Sequence, residues 1–386
     1  MNFSFFTPNE IQFGNGKIAG LPDLVKRYGT HAFICLRGQN LADSGVLERI
    51  QQQLQQQQID LFLYHLPDGE PTVADVDRGV ELARQYQPDV VIGIGGGSSL
   101  DTAKAIAVMI THTGSVYDYL EGVGHERIVR AGLPFIAVPT TAGTGAEVTK
   151  NAVISGSDEH FKKSLRSEHL LARVALLDPE LTVTMPARIT AETGMDALTQ
   201  LIESYTSLKA QPIPQALCLS GVQLVGSYLR RAVHDGSDLE AREGMMLASL
   251  LSGMSLANSG LGAAHGIAAA LGAWCNVPHG RACAMLLPHV LQFNLPDCIT
   301  PYSTLYSQLS GFPVDSELAA AEAFIDRIDR LAREIGITKY FAPDELPEER
   351  IPDLVAGSYG SSMSGNPVPM TDADIEAIIR QLLKEV

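Results

Sequence analysis

The sequence predicts an α/β domain with a parallel sheet over residues 1–185, followed by an all-α domain over residues 186–386. Two observations support this fold class. Short β-branched runs alternate with helical patterns in the first half, and long helical periodicities replace them after Pro186. A chain of 386 residues is long enough to form two such domains, each with its own core.

The individual elements follow from these patterns in chain order. Four apolar runs are typical of buried strands, and a helical pattern runs from Val73 to Tyr86 between the second and the third. Pro186 ends the last α/β element, which places the domain boundary near residues 181–186. Beyond it, helical periodicity covers residues 215–233 and 318–335. The predicted strands contain residues 32–35, 60–64, 90–94 and 135–138.

Charge and hydropathy exclude several classes of protein. The 44 acidic and 28 basic residues give a formal net charge of −16, which disfavours nucleic acid and anionic membrane as partners because both are negatively charged. No apolar run reaches the roughly 20 residues that cross a bilayer, and the N-terminus lacks the basic start and long apolar stretch of a secretory signal. The sequence therefore predicts a cytoplasmic protein.

The five cysteines are an odd number and show no Cys-x-x-Cys spacing. This pattern indicates neither a disulfide framework nor a thiolate zinc site. We expect all five to be reduced and buried.

A glycine-rich turn with Gly95, Gly96 and Gly97 follows the third predicted strand. Its glycines allow the backbone to approach a pyrophosphate, and a helix that starts there offers unpaired N–H groups and a positive dipole end. Ser98 stands where a Gly-x-Gly-x-x-Gly fingerprint would have its third glycine, and no Gly-Lys-Ser/Thr follows, so neither standard nucleotide motif is present. The turn predicts a phosphate-binding loop, and a tight strand-to-helix turn without a ligand is the alternative.

A second loop, residues 139–149, also follows an apolar strand and is rich in hydroxyl groups. Two such loops at adjacent strand ends favour a nucleotide site at the carboxyl edge of the sheet. The candidate cofactor-binding residues in the two loops are Gly95, Gly96, Gly97, Ser98, Asp101, Thr140, Thr141, Thr144 and Thr149.

Three short segments of the second half contain candidate metal ligands. Asp196 and Gln200 are four residues apart in a helical pattern, so both side chains project from one face. His265 and His279 come from two further segments. One carboxylate, one amide and two imidazoles can hold a divalent metal and leave a coordination position open. A single buried histidine is more often a hydrogen-bonded core residue, so the prediction depends on the four together.

Ordered motifs along the whole chain resemble the iron-containing (group III) alcohol dehydrogenase family. They occupy residues 13–16, 95–101, 139–149, 178–181, 194–198, 278–280, 287–289 and 365–367. The resemblance implies a Rossmann-like, dehydroquinate synthase-like fold with NAD or NADP on the N-terminal domain and Fe²⁺ or Zn²⁺ in the helical domain, meeting in an interdomain cleft. It also implies that a small-molecule primary alcohol is oxidised to an aldehyde, or the reverse, and it leaves a homodimer open.

Two positions depart from the family pattern. Gln200 stands where the family usually has a histidine ligand, and Ala269 stands where it usually has the histidine often called catalytic. The amide oxygen of Gln200 can still coordinate a metal, so we expect a site of Asp196, Gln200, His265 and His279. The alternative is a degenerate site that no longer binds metal. With Ala269, no side-chain base is assigned, and His160 and His169 are candidates for a proton relay, although ordinary surface histidines are the simpler interpretation.

The substrate hypothesis depends on an enlarged pocket and on two cations. The small side chain of Ala269 would open the pocket, and Lys163 and Arg166 would meet an anionic substrate, although a solvated basic edge is equally compatible. A branch of the family oxidises the terminal (C8) alcohol of 3-deoxy-manno-octulosonate, a sugar acid of lipopolysaccharide biosynthesis, and this is the sharpest candidate. An ordinary short-chain alcohol, aldehyde or lactaldehyde reductase of the family is the alternative.

The choice between NAD and NADP is open in the sequence. Gly38 and its neighbours contain no acidic residue at the place where an NAD-preferring family member would hold the ribose hydroxyls, so Gly38 and Arg37 permit the extra phosphate of NADP. Three further functions remain as alternatives: an oxygen-dependent oxidase, a lyase resembling dehydroquinate synthase or glycerol-1-phosphate dehydrogenase, and a nucleotide-binding protein without catalysis.

Overall fold

The computed structural model describes residues 2–156, 161–311 and 316–383. The chain packs as two compact units. The α/β unit comprises Phe6–Thr141 and Gly145–Thr184, and the helical unit comprises Met1–Phe5, Ala142–Thr144 and Met185–Val386. Nothing in the sequence indicated that residues 142–144, in the middle of the hydroxyl-rich loop, pack with the helices.

The α/β unit is built on a parallel sheet. Its six strands are β1 (Glu10–Phe13), β2 (His31–Arg37), β3 (Asp60–Leu66), β4 (Val90–Gly95), β5 (Phe135–Pro139) and β8 (Val174–Leu177). Between β5 and β8 the chain forms a separate antiparallel hairpin of β6 (Asn151–Gly156) and β7 (Phe161–Arg166). The sheet has the strand order β1-β8-β5-β4-β2-β3, and every described pair in it is parallel. The four predicted strands are confirmed as β2 to β5. The sequence patterns did not indicate β1, β8 or the hairpin.

The described residues of this unit also form five α-helices: α1 (Leu21–Lys26), α2 (Asn40–Asp43), α3 (Val46–Gln56), α4 (Val73–Tyr86) and α5 (Gly97–Met109). Helix α4 has the bounds that the sequence predicted. It begins where it does because Thr72 and Asp75 form a capping box, in which each side chain accepts a hydrogen bond from the other's backbone N–H.

The sheet is covered on both faces, which explains why its inner strands β4, β5 and β8 are apolar throughout. Alternate residues of β2 belong to two different cores. Phe33 packs in one core together with Ile106 of α5, and Ile34 packs in the other together with Ile50 of α3. A strand that is buried on both faces gives a continuous apolar run and no alternation of polar and apolar residues.

The carboxyl edge of the sheet brings the predicted loops together. Strand β2 pairs with β3 on one side and with β4 on the other, so the strand order reverses between β2 and β4. Gly38 follows β2, the glycine-rich turn follows β4, and Thr140 follows β5. Ligands of open α/β sheets bind at such a switch point, so the geometry of the α/β unit suits a nucleotide there.

The helical unit contains α6 (Ala187–Thr206), α7 (Pro212–His234), α8 (Leu239–Ser259), α9 (Ala263–Cys275), α10 (His279–Ser310), α11 (Glu317–Glu334), α12 (Ile351–Gly357) and α13 (Asp372–Gln381). Pro186 is the N-cap of α6, as expected for a proline that ends the preceding element. The predicted helical periodicities correspond to α7 and α11. Within the described residues, no helix is long and apolar enough to cross a membrane.

All five cysteines are free, which confirms the prediction that no disulfide framework exists. Four are buried, but Cys275 is only partly buried because it lies at the end of α9, so that part of the expectation was wrong.

Candidate active site

Three helices of the helical unit bring four potential metal ligands together. They are Asp196 on α6, His265 on α9, and His279 and Cys283 on α10. One ligand atom from each residue lies within 4.8 Å of the others. Three of the side chains are buried, and His279 is about a quarter exposed, with 27% of its side chain accessible. Cys283 was missed by the sequence analysis, and the remaining three residues were predicted.

Local sequence explains the convergence. His279 is the first residue of α10 and Cys283 lies four residues later, so both side chains project from the same face of that helix. His265 lies in the first turn of α9. The N-cap of that helix is Gly262, where a β-carbon would lie 2.9 Å from the carboxylate of Glu203, so a larger residue would displace that carboxylate or the start of the helix.

Glu203 is the residue that fixes His265, and the sequence analysis did not single it out. Its carboxylate accepts hydrogen bonds from the backbone N–H groups of Gly262 (2.9 Å) and Ala264 (2.7 Å) and lies 2.6 Å from Nδ1 of His265. Glu203 lies seven residues after Asp196 on α6, which is two turns along the same face. That spacing is the signal that could have identified it.

The surroundings of His265 suit a bound cation. Its Nδ1 faces Glu203, and its Nε2 lies 3.3 Å from Oδ1 of Asp196, so both ring nitrogens face carboxylate oxygens. A neutral imidazole has one N–H and can donate to only one of them. The second contact requires a proton or a metal ion between nitrogen and oxygen. A carboxylate that orients a histidine from behind is also the usual arrangement around metal-ligating histidines.

The pKa values agree with this view. Burial lowers the pKa of His265, but its interactions with Cys283, Glu203 and Asp196 outweigh burial and raise it well above its ordinary value. Burial raises the pKa of Asp196, but its hydrogen bond with His265 and the two nearby imidazoles lower it overall. Burial raises the pKa of the Cys283 thiol to about 11. The same negative neighbours that favour a proton on His265 would also favour a metal cation beside it.

Gln200 occupies a different position from the one that a ligand would need. Its Nε2 donates to Oδ2 of Asp196 at 3.3 Å, whereas the imidazoles of His265 and His279 face the other carboxylate oxygen, Oδ1. The amide oxygen of Gln200 accepts a hydrogen bond from Ser252 at 2.8 Å. In this conformation Gln200 orients Asp196 and directs its carbonyl oxygen away from the cluster.

The predicted phosphate loop has the geometry of a backbone cradle. Gly95 has φ +147°, which favours glycine, and a β-carbon there would lie 2.4 Å from the hydroxyl of Ser99. Gly96 is the N-cap of α5, and Gly96, Gly97 and Ser98 are partly exposed. The first N–H groups of an α-helix have no intrahelical partner, so this turn can offer donors to an anion.

Asp101 and Thr149 have structural roles that sequence reasoning did not predict. Lys104, only 1% exposed, donates to Thr149 Oγ1 (2.9 Å) and lies 3.4 Å from Oδ1 of Asp101. The other carboxylate oxygen of Asp101 accepts the N–H of Val153 at 2.9 Å. Lys104 also donates to the backbone carbonyls of Ala146 and Asn151. These bonds tie α5 to residues 146–153, which comprise the end of the hydroxyl-rich loop and the start of β6.

The hydroxyl-rich loop is divided between the two units. Thr140 and Thr141 belong to the α/β unit, and Thr144 belongs to the helical unit; all three are partly exposed. Within the helical unit, Gly143 packs so closely on Thr193 of α6 that a β-carbon would lie 2.6 Å from its side chain. The loop therefore needs glycine at that position.

Gly38 and Arg37 differ in their availability to a cofactor. Gly38 is exposed with φ +73°, and a β-carbon there would have no described atom within 4 Å. The Arg37 side chain is only 11% exposed, donates to the carbonyl of Pro67 and lies 3.7 Å from Asp75. The surface beside Gly38 is open, but the guanidinium of Arg37 is directed into the protein.

Lys163 and Arg166 do not converge on one ligand, contrary to the expectation. Both lie on β7, three residues apart, so their side chains project from opposite faces of the hairpin. Arg166 also pairs with Glu121 at 2.9 Å. This arrangement gives no support to the prediction that the two cations meet a single anionic substrate. Of the proton-relay candidates, His169 is exposed on the α/β unit, and His160 lies outside the described residues.

Ala269 lies on α9, one turn after His265, and is partly exposed. Residues four apart project from the same face of a helix, so Ala269 and the cluster share one side of α9. A methyl group at this place leaves space that a larger side chain would fill.

The sequence also matches known protein families. The profile described as "Iron-containing alcohol dehydrogenase" matches residues 8–179, and the profile described as "Fe-containing alcohol dehydrogenase family, C-terminal" matches residues 190–383. The chain belongs to the iron-containing alcohol dehydrogenase family. It is therefore an oxidoreductase that acts on CH–OH groups.

Similar proteins cover nearly the whole chain. A long-chain-alcohol dehydrogenase of Geobacillus thermodenitrificans is 35% identical over 95% of this chain and 93% of its own length. An NAD-dependent methanol dehydrogenase of Bacillus methanolicus is 33% identical over 98% of this chain and 100% of its own length. A crystal structure of a 1,3-propanediol oxidoreductase has a TM-score of 0.93 and 33% identity, covering 99% of this chain and 100% of that chain. The predicted fold class is confirmed.

Proposed function

We propose that this protein is a metal-dependent, nicotinamide-dependent dehydrogenase that interconverts a primary alcohol and its aldehyde. The observation that supports it most is the cluster of Asp196, His265 and His279, in which both nitrogens of His265 face carboxylate oxygens. A divalent metal held there, Fe²⁺ or Zn²⁺, would supply a Lewis acid for the alcohol or carbonyl oxygen.

The residues of the chain would divide the remaining work. Asp196, His265 and His279 would hold the metal, and Glu203 would keep Nε2 of His265 directed at it. The turn at Gly95, together with the N-terminus of α5, would hold the cofactor pyrophosphate, as helix N-termini do in other nucleotide sites. A substrate and a cofactor that are each held in a fixed position would have the orientation that hydride transfer requires.

We propose an uncharged alcohol ahead of a sugar acid as the substrate. The relatives named for long-chain alcohols and methanol support this order. Oxidation of the terminal alcohol of 3-deoxy-manno-octulosonate would need cations that meet one carboxylate, and Lys163 and Arg166 project from opposite faces of their hairpin. The partly exposed Ala269 supports a pocket with room for more than a short chain.

The test is nicotinamide absorbance with metal-loaded protein. NAD or NADP is offered with a series of primary alcohols of increasing length and, separately, with 3-deoxy-manno-octulosonate. We expect turnover with the neutral alcohols, none after chelation, and none in Asp196→Ala.

Three other outcomes would contradict parts of the proposal. Turnover of the sugar acid alone would overturn the substrate assignment, and oxygen uptake without nicotinamide would indicate an oxidase. Nucleotide binding without turnover on any alcohol or aldehyde would indicate a binding protein. The variant Ala269→Phe serves as the pocket control, because it should raise the KM for long alcohols more than that for short ones.

A further inference from the structure

The fourth member of the donor cluster is a cysteine that the proposed function does not use. Cys283 is buried on α10, and its Sγ lies 3.7 Å from Nε2 of His279, the histidine one turn earlier. Its sulfur also lies within 4.8 Å of the ligand atoms of Asp196 and His265. The cluster is therefore a compact set of two imidazoles, one carboxylate and one sulfur, contributed by three helices.

The residue expected as the fourth ligand is arranged differently. The carbonyl oxygen of Gln200 accepts a hydrogen bond from Ser252, whose hydroxyl also lies near the carbonyls of Ser249 (2.8 Å) and Gly143 (3.5 Å). The amide nitrogen of Gln200 contacts Oδ2 of Asp196, and the imidazoles of the cluster face Oδ1. Gln200 thus contacts the outer side of the carboxylate.

We propose that Cys283, and not Gln200, supplies the fourth protein ligand, so that the metal site is Asp196, His265, His279 and Cys283. This inference rests on the metal site of the proposed function. Coordination would form one sulfur–metal bond and release the thiol proton to solvent, without any change of oxidation state. Gln200 would orient Asp196 from behind.

A sulfur ligand is chemically reasonable for this reaction class. Zinc binds cysteine, histidine and carboxylate ligands, and it can expand from four to five ligands, so a set of four protein ligands does not exclude substrate. A thiolate is a softer donor than an amide oxygen and favours zinc over hard cations such as magnesium.

Cobalt(II) is the probe because thiolate ligation gives it a charge-transfer band in the near ultraviolet. Wild-type protein loaded with Co²⁺ should show this band at one metal per chain. Cys283→Ser should lose the band and bind cobalt at least about 100-fold more weakly, a larger effect than loss of an outer-sphere residue. Gln200→Ala should keep the band.

Cys298→Ser is the matched control, because Cys298 is a buried cysteine of the same helix that lies fifteen residues farther along. It should keep the band and the affinity. A second measurement needs no variant: X-ray absorption of the zinc-loaded wild type should show a sulfur scatterer at about 2.3 Å.

The outcomes separate this inference from the proposed function. Stoichiometric cobalt binding without the charge-transfer band, or a zinc shell of nitrogen and oxygen alone, would overturn the role of Cys283 and leave the metal site standing. Failure to bind any divalent metal would overturn both.

Discussion

The replacement Glu203→Gln tests how the second sphere controls the metal site. The wild-type carboxylate accepts three hydrogen bonds, two from backbone N–H groups at the start of α9 and one from Nδ1 of His265. Glutamine has a single acceptor oxygen, so its NH₂ group would face at least one of these donors. Oε1 of Glu203 accepts from Ala264, and Oε2 accepts from both Gly262 and His265, so either orientation of the amide sets its NH₂ group against a backbone N–H at the start of α9. A neutral amide is also a weaker acceptor than a carboxylate for Nδ1 of His265, so this histidine would be held less firmly.

The expected magnitude follows from the lost interaction. A hydrogen bond to a charged group contributes about 1.5–3 kcal/mol, which corresponds to roughly 10- to 100-fold in an equilibrium constant. Outer-sphere partners of metal ligands contribute a similar factor of about 10–100 in affinity. We therefore expect Glu203→Gln to bind zinc roughly 10- to 100-fold more weakly than wild type.

The assay is competition for zinc with a chromophoric chelator, at a temperature well below unfolding. Glu192→Gln is the control, because Glu192 is a buried glutamate of the same helix whose carboxylate pairs with Arg188. It should bind zinc like wild type. The reasoning would be refuted if folded Glu203→Gln kept the wild-type affinity to within about threefold.

Three further predictions concern pH, the α/β unit and the cofactor. Zinc affinity should rise between about pH 6 and pH 8, because the pKa values of His265 and Cys283 are both raised and each residue must lose a proton when the metal binds. The logarithm of zinc affinity, plotted against pH, should approach a slope of roughly two. A flat profile would contradict this. Lys104→Met leaves the buried carboxylate of Asp101 without its cation, so the free energy of unfolding should fall by about 3–5 kcal/mol, measured by urea denaturation followed by circular dichroism. The control Lys163→Met should have little effect. Equal unfolding free energies for the two variants would contradict the role given to Lys104. Gly38→Asp should raise the ratio of kcat/KM with NAD to kcat/KM with NADP by roughly 10-fold or more, because the new carboxylate accepts hydrogen bonds from the ribose hydroxyls and repels a phosphate. An unchanged ratio would show that the cofactor does not reach Gly38.

Much of the fold could be predicted because its local signals agree. Strand β4 is apolar throughout since both faces of the sheet are covered, and α4 has a capping box at its start. Strand β7 was not predicted, because a sequence with two adjacent lysines carries little apolar alternation. Because the sequence did not indicate this strand, it also gave no sign that Lys163 and Arg166 project from opposite faces.

The candidate site was predicted in part. Asp196, His265 and His279 stand in recognisable motifs, but Cys283 does not. Cys-x-x-Cys spacing indicates sites with several thiolates, and it is absent from a mixed donor set in which histidine and cysteine are four residues apart on one helix. The orientation of Gln200 depends on Ser252, which lies 52 residues away in sequence. Contacts of that kind require the three-dimensional structure.

The most direct test of the central claim is a metal titration of chelator-stripped protein, with alcohol-dependent reduction of nicotinamide as the readout. We predict that activity rises linearly with added zinc or iron(II), stops rising at one metal per chain, and is absent in Asp196→Ala at every metal concentration. Activity that is already complete in metal-free protein, or that survives the loss of Asp196, would contradict the account.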